Sequence, residues 1–226
     1  MLVPYEHRHV LKYHTWMEDP AIQQATASDR LTLEEEYENQ ESWRASHDKL
    51  TFIICQPLAD PGTGHVKAGD ADADGKMVGD VNFFVYPDDD DDDSEDGCVG
   101  EVDIMIADVK DRGKGIGKGV VMAFLQYIFR NLESVLDEYA RAQDGERKGV
   151  PKLKMLMVKI KAENMGSIKL FQGLGFSQEG DVNYFGEVKL VLREFGRVIE
   201  AIPEGYLELQ YARGGDDAVA RETNDR

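Results

Sequence analysis

The sequence of 226 residues has little cysteine: only Cys55 and Cys98 occur, and they form no C-x-x-C pair. This count does not fit a disulfide-held secreted domain, and the apolar run around Cys55 predicts a buried thiol in a reducing compartment. No apolar stretch approaches the roughly 20 residues that cross a bilayer. The first residues also lack the basic and apolar regions of a secretory signal. We therefore expect a cytoplasmic protein without membrane contact, and the nucleus stays open.

Positive charge is also scarce, because 26 Lys and Arg stand against 44 Asp and Glu, a formal net charge of −18. Much of this excess is local, since residues 60 to 97 contain thirteen acids and two lysines, a net −11. Self-repulsion makes such a chain a poor ligand for nucleic acid phosphates. We expect cationic partners and no nucleic acid.

Two acid-rich segments, residues 57 to 75 and 87 to 97, are expected to be surface loops that bury little. Residues 70 to 75 copy the first half of an EF-hand calcium loop, but Val81 would stand at position twelve, where a bidentate Glu is required. The five histidines lack the context of a zinc site. We therefore expect no bound metal.

The hydrophobic pattern predicts a mixed α/β chain whose elements follow the order β-α-α-β-β-β-α-β-α-β. Adjacent strands in the first half imply antiparallel pairing, and a single parallel βαβ crossover follows. We expect one domain over residues 1–195 and a C-terminal extension over 196–226 that is partly disordered. The predicted strands are residues 2–4, 50–56, 76–86, 99–107, 152–161 and 184–195, with a further one open at 206–211; the predicted helices are 7–17, 32–44, 115–130 (an extension to 139 stays open) and 165–174.

The strand at residues 101 to 107 leads into Arg112-Gly-Lys-Gly-Ile-Gly117, which opens a helix. These glycines let backbone amides approach a ligand, and the helix N-terminus adds partial positive charge. The turn therefore predicts a phosphate or pyrophosphate site, and its basic side chains are Lys110, Arg112, Lys114 and Lys118. A Walker loop is disfavoured because Gly119, and no Ser or Thr, follows Lys118. A dinucleotide fingerprint is disfavoured because the glycines alternate and follow a later strand.

Two motifs together resemble the GNAT superfamily of acetyltransferases. Residues 112 to 117 match its [RQ]-x-x-G-x-[GA] signature, and residues 163 to 176 are similar to its second motif, in which a strand ends in Asn and a short helix leads to Gly-Phe. The resemblance covers about residues 1 to 195 and implies the GNAT fold, with helices on both faces of a mixed sheet. Segments similar to the eukaryotic N-acetyltransferase 9 family, which is related to RimJ/RimL-type N-terminal acetyltransferases, are residues 2–5, 13–17, 32–37, 49–53 and 77–82.

The resemblance implies acetyl transfer from acetyl-CoA to a primary amine by direct attack in a ternary complex. The family is described as acetylating protein N-termini, and tubulin is the substrate named for it. The strand before the turn would pair with the pantetheine arm, and the turn would hold the pyrophosphate. The implied acetyl-CoA contacts are Met105, Ile106, Ala107, Arg112, Gly113, Lys114, Gly115, Ile116, Gly117, Asn164 and Phe171.

Attack requires a neutral amine, so a base must take a proton from the ammonium. Glu101, Asp103 and Met105 share one face of their strand. Glu101 matches the position of the base in related enzymes, with Asp103 as its substitute; both have the alternative role of solvated carboxylates. Many relatives protonate the leaving thiolate with a Tyr where this chain has Phe171, which cannot donate. Ser167 offers a hydroxyl one turn earlier, and helix capping is its alternative role.

Three features depart from the family pattern. The chain begins inside the first strand, about twenty extra residues lie near 132–151, and the two acid-rich segments are long. Two other functions stay open: acetylation of a small cationic amine such as a polyamine, which the acid-rich segments would attract, and a non-catalytic scaffold with the same fold, to which Phe171 in place of a proton donor points.

Overall fold

The computed structural model describes residues 1–58, 64–88, 97–142 and 149–213. Its strands are β1 (Leu2–Pro4), β2 (Lys49–Cys55), β3 (His65–Lys67), β4 (Met77–Pro87), β5 (Gly97–Ile106), β6 (Lys152–Lys161), β7 (Ser177–Glu179), β8 (Glu187–Leu192) and β9 (Gln210–Ala212). Its helices are α1 (Val10–Met17), α2 (Pro20–Thr26), α3 (Leu33–Ala45), α4 (Ile116–Arg130), α5 (Leu132–Ala142), α6 (Met165–Gly173) and α7 (Gly196–Glu200). Most predicted elements are confirmed with small shifts of their ends.

Seven strands form one mixed sheet in the order β1-β2-β4-β5-β6-β8-β7. Only β5 and β6 run parallel in it, and the crossover between them contains α4 and α5. All its other strand pairs are antiparallel. The predicted mixed sheet with a single βαβ crossover is therefore confirmed. Strands β3 and β9 pair separately as a small parallel sheet.

Helices cover both faces of the large sheet, as the resemblance implies. On one face α4 and α6 bury side chains such as Phe124, Leu125 and Phe171 against alternate residues of β4, β5, β6 and β8. On the other face α1 and α3 cover the end of the sheet formed by β1, β2, β4 and β5, with Tyr13 and Met105 in this second cluster. Alternation along each strand produces the two faces, because successive side chains point to opposite sides.

Local sequence signals explain where helices begin and end. The Thr32 hydroxyl accepts a hydrogen bond from the Glu35 amide, and the Glu35 carboxylate accepts one from the Thr32 amide, which confirms the capping box before α3. The helix that begins at Ile116 does not continue to residue 139. Asn131 leaves the helical conformation at φ −110°, and α5 follows as a separate helix.

Four short elements were not predicted: α2, β3, β7 and α7. The predicted final strand over residues 184–195 is shorter, because the chain turns at Gly186, with φ 75°, before β8 begins. Tyr184 and Phe185 therefore lie in an exposed turn and not in the sheet. The strand left open at 206–211 is β9, at Gln210–Ala212.

Residues 64 to 75 bury more than their composition indicates. Val66 of β3 and Asp72 are 6% and 1% exposed. Beyond residue 195, α7 packs on α4, where Gln126 Nε2 donates to the Val198 carbonyl at 2.6 Å. Of the expected acidic loop at 87–97, residues 89–96 lie outside the described residues, as does the part of the extension from residue 214 onward.

Candidate active site

The candidate site lies where β5 and β6 separate. The two strands pair in parallel only from Gly97 and Lys152 to Glu101 and Met157. Beyond this point β5 continues to residue 106 and β6 to residue 161, but the two strands no longer pair with each other. A V-shaped cleft therefore lies between them.

The edge of β5 in this cleft presents backbone amides. The Ala107 amide donates to the Val78 carbonyl of β4 at 3.0 Å. Because hydrogen-bonding directions alternate along an antiparallel strand, the amides of Met105 and Ala107 face β4, whereas those of Ile104 and Ile106 face the cleft. Of the three strand residues named as acetyl-CoA contacts, Ile106 is thus the one whose amide points into the cleft.

The glycine turn lies at the open end of this edge. Gly113 and Gly115 have φ values of 72° and 81°, a left-handed conformation that favours glycine. Gly115 is the N-cap of α4 and offers no side-chain cap, so the first amides of the helix stay available. A Cβ built at Gly113 or Gly115 would meet no atom within 4 Å, which means that open space lies in front of the turn.

The basic side chains of the turn bind nearby backbone carbonyls and carboxylates. Arg112 donates from Nε to the Ile106 carbonyl at 2.8 Å and from its guanidinium to the Ala107 carbonyl at 3.0 Å. Lys114 Nζ lies 3.4 Å from the Asp111 carboxylate. Lys110 pairs in the same way with Asp108 at 2.9 Å. The positive charge predicted for the turn is therefore partly neutralised by carboxylates.

The first residues of α4 contact the floor of the cleft. Ile116 is half-buried and packs against the core below the sheet. At Gly117 a Cβ would lie 2.9 Å from Cδ1 of Leu170 in α6, so glycine allows α4 and α6 to approach closely. The two helices that carry the two sequence motifs are in this way brought together.

The two predicted carboxylates of β5 differ in their surroundings. Glu101 is 7% exposed, and its Oε2 accepts a hydrogen bond from Lys159 Nζ at 2.8 Å. Asp103 is open to solvent and makes no hydrogen bond or ion pair with any described residue. Protein atoms nevertheless surround it, as expected at the bottom of a cleft. This partial burial raises the pKa of Asp103 to about 6; Glu101 adds to the shift, and Lys159 and Lys49 oppose it.

Lys49 and three aromatic rings form the wall beside Asp103. Lys49 Nζ lies 3.9 Å from the ring centroid of Trp43 and 4.7 Å from that of Phe84. Burial lowers the pKa of Lys49, and the charges of nearby carboxylates, Asp103 among them, oppose this shift. Tyr86 stacks on Phe84 with ring centroids 6.2 Å apart. Neither lysine was predicted to act in the site: Lys49 belongs to the family-like segment 49–53, which carries no assigned role, and Lys159 lies in neither of the two motifs.

The second motif places its residues at the start of α6. Asn164 is the N-cap, and its Oδ1 accepts a hydrogen bond from the Ser167 amide at 3.1 Å. Ser167 itself is half-buried. Phe171 is 2% exposed, and its ring packs edge-on against Phe176 with centroids 5.2 Å apart. Phe171 is thus a core residue that presents almost no surface to the cleft.

The described residues contain neither a membrane-spanning helix nor a cluster of metal ligands. No helix in this part of the chain is long and apolar enough to cross a membrane. No group of three or more His, Cys, Asp or Glu within residues 1–58, 64–88, 97–142 and 149–213 is arranged to hold a metal ion.

Comparisons with known proteins agree with this geometry. The model of a family described as "Acetyltransferase (GNAT) domain" matches residues 1–177. The N-acetyltransferase 9-like protein of Schizosaccharomyces pombe is 38% identical over 218 residues, covering 85% of this chain and 92% of that protein. The alpha/beta-tubulin-N-acetyltransferase 9 of Homo sapiens is 38% identical over 196 residues, covering 85% of this chain and 79% of the human protein.

Solved structures show the same architecture. The spermidine N-acetyltransferase from Vibrio cholerae, in complex with CoA and spermine, aligns with a TM-score of 0.60 and covers 88% of this chain and 97% of its own. Its sequence identity is 14%, so this likeness concerns the fold alone.

Proposed function

The chain belongs to the GNAT acetyltransferase family and is an N-acetyltransferase that uses acetyl-CoA, and we propose that its acceptor is the N-terminal α-amine of a protein. The observation that carries this proposal is the cleft between β5 and β6, where a solvent-open carboxylate, Asp103, lies between two lysines. Two relatives at 37% and 38% identity are named alpha/beta-tubulin-N-acetyltransferase 9, which supports tubulin as the protein.

The residues of the cleft fit acetyl-CoA. The uncapped amides at residues 113 to 117 would hold the pyrophosphate, because open space lies in front of them and the helix N-terminus favours anions. The Ile106 amide would pair with the pantetheine arm along the free edge of β5, and Asn164 shapes the opposite side as the cap of α6. Acetyl-CoA supplies an acyl thioester that a neutral amine can attack.

We assign the proton-accepting role to Asp103 rather than to Glu101. Protonation of Glu101 would break its ion pair with Lys159, whereas Asp103 has no such partner to lose. With a pKa of about 6, Asp103 is ionised at neutral pH and still basic enough to assist an ammonium. Glu101 and Lys159 then form a fixed pair beside it. Ser167 stays the proposed donor to the leaving thiolate, since the described part of α6 offers no tyrosine.

The charge balance of the cleft favours a single ammonium over a polycation. The carboxylates of Glu101 and Asp103 are matched by the ammonium groups of Lys159 and Lys49. A polyamine carries several positive charges and would need an excess of carboxylates. The exposed turn between β7 and β8 adds an apolar surface for a polypeptide, because Tyr184 is 97% and Phe185 70% exposed.

Acetylation of a small cationic amine is the second candidate, favoured by the net charge of −18. Most of that charge belongs to residues 60 to 97, whereas the cleft carboxylates Glu101 and Asp103 are matched by Lys159 and Lys49. A non-catalytic scaffold is the third candidate; a scaffold has no use for free amides that face open space at the turn.

A cytoplasmic location is also part of the proposal. Cys55 and Cys98 are both buried, and neither forms a disulfide. Burial raises the pKa of Cys55 to about 12, so its thiol is unreactive at neutral pH. Such thiols are compatible with a reducing compartment.

The test compares three acceptors with acetyl-CoA: peptides that copy the α- and β-tubulin N-termini, the same peptides with a formylated α-amine, and spermidine. We expect acetylation of the free peptides only, detected by mass spectrometry at the α-amine. Exclusive turnover of spermidine would contradict the protein acceptor.

Calorimetric titration with acetyl-CoA separates the enzyme from the scaffold. We expect binding by the wild type and its loss in Arg112→Glu/Gly115→Asp, which places two acidic side chains at the glycine turn. A matched Lys169→Glu variant adds a negative charge on the exposed side of α6 and should bind normally. A folded wild type that does not bind would leave the scaffold as the better account.

A further inference from the structure

Asp80 is a buried carboxylate that has no role in the function proposed above. It lies in β4 with 3% of its surface exposed, and the register places it between Ile53 of β2 and Met105 of β5. Its Oδ2 accepts a hydrogen bond from Asn82 Nδ2 at 2.6 Å. Its Oδ1 is buried and has no hydrogen-bond partner among the described residues. Because an unpaired buried carboxylate oxygen costs free energy, this arrangement requires a functional explanation.

Asp80 is a neighbour of Asp103 on the same face of the sheet. The register pairs Asn82 with Asp103, and Asp80 lies two residues before Asn82, so Asp80 and Asp103 are diagonal neighbours across β4 and β5. The Cα atoms of such neighbours lie about 7 to 8 Å apart, a separation that one bridging water between the carboxyl groups can span. Asp103 faces the cleft, whereas Asp80 lies deeper, beneath α1 and α3.

The hydrogen bonds around Asp80 fix its position. Thr51 Oγ1 donates to Asn82 Oδ1 at 2.7 Å, and the amide group of Asn82 in turn donates to Asp80. Asn82, which lies opposite Asp103 in the register, is thus held by Thr51 of β2 and by Asp80 of its own strand β4. In this series of hydrogen bonds only the Oδ1 atom of Asp80 has no partner among the described residues, so it can accept a proton.

The charges that surround Asp80 oppose its ionisation. Burial raises the pKa of Asp80 to about 7; the Asn82 hydrogen bond opposes this shift and the charge of Asp103 adds to it. Among the described residues, the ionisable groups coupled to Asp80 are Tyr5 after β1, Tyr13 of α1 and Asp103 of β5, and none of these is a cation. Glu36 of α3 acts on the same two tyrosines and lies 3.9 Å from Nδ1 of His14 in α1. The Tyr5 hydroxyl is also buried without a hydrogen-bond partner in the described chain.

We propose that Asp80 receives, through Asp103, the proton that the acceptor ammonium releases. The inference rests on the proposed acetylation of an amine in this cleft. Asp80 touches neither substrate nor cosubstrate, and it is therefore a positioning residue that acts through Asp103. Its task is to keep Asp103 ionised while the neutral amine attacks.

The proton balance closes without another reactant. The ammonium gives one proton to the Asp103 carboxylate and keeps its electron pair as a neutral amine. Asp103 passes that proton to the Asp80 carboxylate and becomes ionised again. After the products leave, Asp80 returns the proton to Asp103, which faces solvent. Burial raises the pKa of both carboxyl groups, to about 7 at Asp80 and about 6 at Asp103, so each of them can hold a proton near neutral pH.

The test is the pH dependence of peptide acetylation by Asp80→Asn, which keeps the shape of the side chain. We expect kcat at pH 7 to fall about tenfold while both KM values change little. In the wild type the acid limb of kcat/KM requires both carboxylates to be ionised; in the variant only Asp103 titrates, and the limb should move about one pH unit lower. A variant that is slower at every pH by the same factor would overturn the proposal.

A double-mutant cycle adds an independent criterion. Because Asp80 acts through Asp103, the Asp80→Asn/Asp103→Asn variant should be no slower than Asp103→Asn alone. Additive losses in the double variant would show that Asp80 acts by another route and would overturn the proposal. The control is Asp72→Asn, which alters another buried carboxylate, bound by His9 and Tyr211. It should leave the position of the acid limb unchanged.

The wild type supplies a second measurement that needs no variant to fold. In protein labelled with ¹³C at aspartate carboxyl carbons, we expect a resonance that titrates near pH 7, in addition to one near pH 6. Titration of all aspartates below pH 5 would overturn the proposal. If the wild type acetylates no amine, the proposed function fails; if it is active and Asp80→Asn keeps the wild-type pH profile, only the role of Asp80 fails.

Discussion

At the scale of single residues, burial of Asp80 lowers the stability of the fold at neutral pH, although the same burial gives the carboxyl group the raised pKa that its proposed role uses. Its pKa in the folded chain is about 7, against 3.8 as the ordinary value. Between these values the folded state holds a proton that the unfolded state has lost, so stability falls as the pH rises from about 4 to about 7. Above pH 7 the full cost of burying the charge is present.

Asp80→Asn should therefore stabilise the protein in a pH-dependent way. We expect a gain on the order of 2 to 4 kcal/mol at pH 8 and almost none at pH 4, because the amide carries no charge at either pH. Urea unfolding at both pH values measures the difference. An equal effect at pH 4 and pH 8 would mean that Asp80 has the same pKa in the folded and the unfolded chain and that burial does not raise it.

Gly79 and Gly119 offer a pair of opposite predictions. At Gly79 in β4 a Cβ would lie 1.9 Å from the Met105 carbonyl oxygen of β5, and backbone cannot move aside cheaply. Gly119 lies within α4, where a Cβ meets nothing within 4 Å. We expect Gly79→Ala to destabilise by about 1 to 3 kcal/mol or more, and Gly119→Ala to stabilise by about 0.5 to 1 kcal/mol.

Thermal unfolding of both glycine variants checks this pair. Gly79→Ala should also lower activity, because a shift of Met105 moves the edge of β5 that faces the cleft. A Gly79→Ala protein as stable and as active as the wild type would refute the close approach.

Single residues also show where sequence reasoning ends. The glycine turn was predictable because its spacing and the following helix determine the backbone conformation. The resemblance assigned the base to Glu101 with Asp103 as its substitute. The surroundings that distinguish the two carboxylates depend on Lys159 and Lys49, which are 58 and 54 positions distant from Glu101 and Asp103 in the chain. An aspartate within the apolar run of β4 was a visible signal for Asp80, yet its unpaired oxygen follows only from the packing of α1 and α3.

At the scale of elements, the small β3–β9 sheet depends on one buried carboxylate. Asp72 accepts hydrogen bonds from His9 Nε2 at 2.8 Å, from the Tyr211 hydroxyl at 2.5 Å and from the Gly69 amide at 2.6 Å. His9 Nδ1 accepts from the Glu6 amide, so its Nε2 carries the proton. Burial lowers the pKa of His9, which therefore binds Asp72 as a neutral ring.

Tyr211→Phe should loosen β9 without unfolding the large sheet. Removal of the hydroxyl leaves a charged oxygen of Asp72 with one donor fewer, a loss of about 1 to 3 kcal/mol. Hydrogen exchange should rise at residues 210–212 and 65–67 and stay unchanged in β5 and β6. Tyr184→Phe, at an exposed ring, is the matched control and should alter neither segment; uniform protection in both variants would refute the role of Tyr211.

This sheet also shows why some elements escaped prediction. The pairing of β3 with β9 joins residues about 145 positions apart, and each strand has only three residues. No periodicity is detectable over such a length, whereas the capping box of α3 and the apolar stripe of α4 are local signals. The acid-rich composition of residues 64 to 75 predicts an exposed loop, yet Asp72 is buried there. Its burial is possible because three hydrogen-bond donors stabilise the carboxylate.

At the scale of the whole molecule, the net charge of −18 acts on approaching substrates. Its field is long-ranged at low salt and is screened within about 8 Å at physiological ionic strength. The cleft itself is charge-balanced, so the excess charge should change the rate of encounter and not the chemical step.

The salt dependence of acceptor peptides of opposite charge tests this separation. Between about 20 and 300 mM NaCl, kcat/KM should fall several-fold for a peptide with two added lysines and rise for one with two added glutamates. In both cases kcat should stay constant, because the paired side chains around Asp103 are shielded by neighbouring protein. Replacing the aspartates at 88 to 93 by asparagine changes the formal charge from −18 to −12 and should reduce both slopes. Equal slopes for the two peptides would show that the charge of the chain does not reach the acceptor, and the acid-rich segments would then need an explanation other than steering.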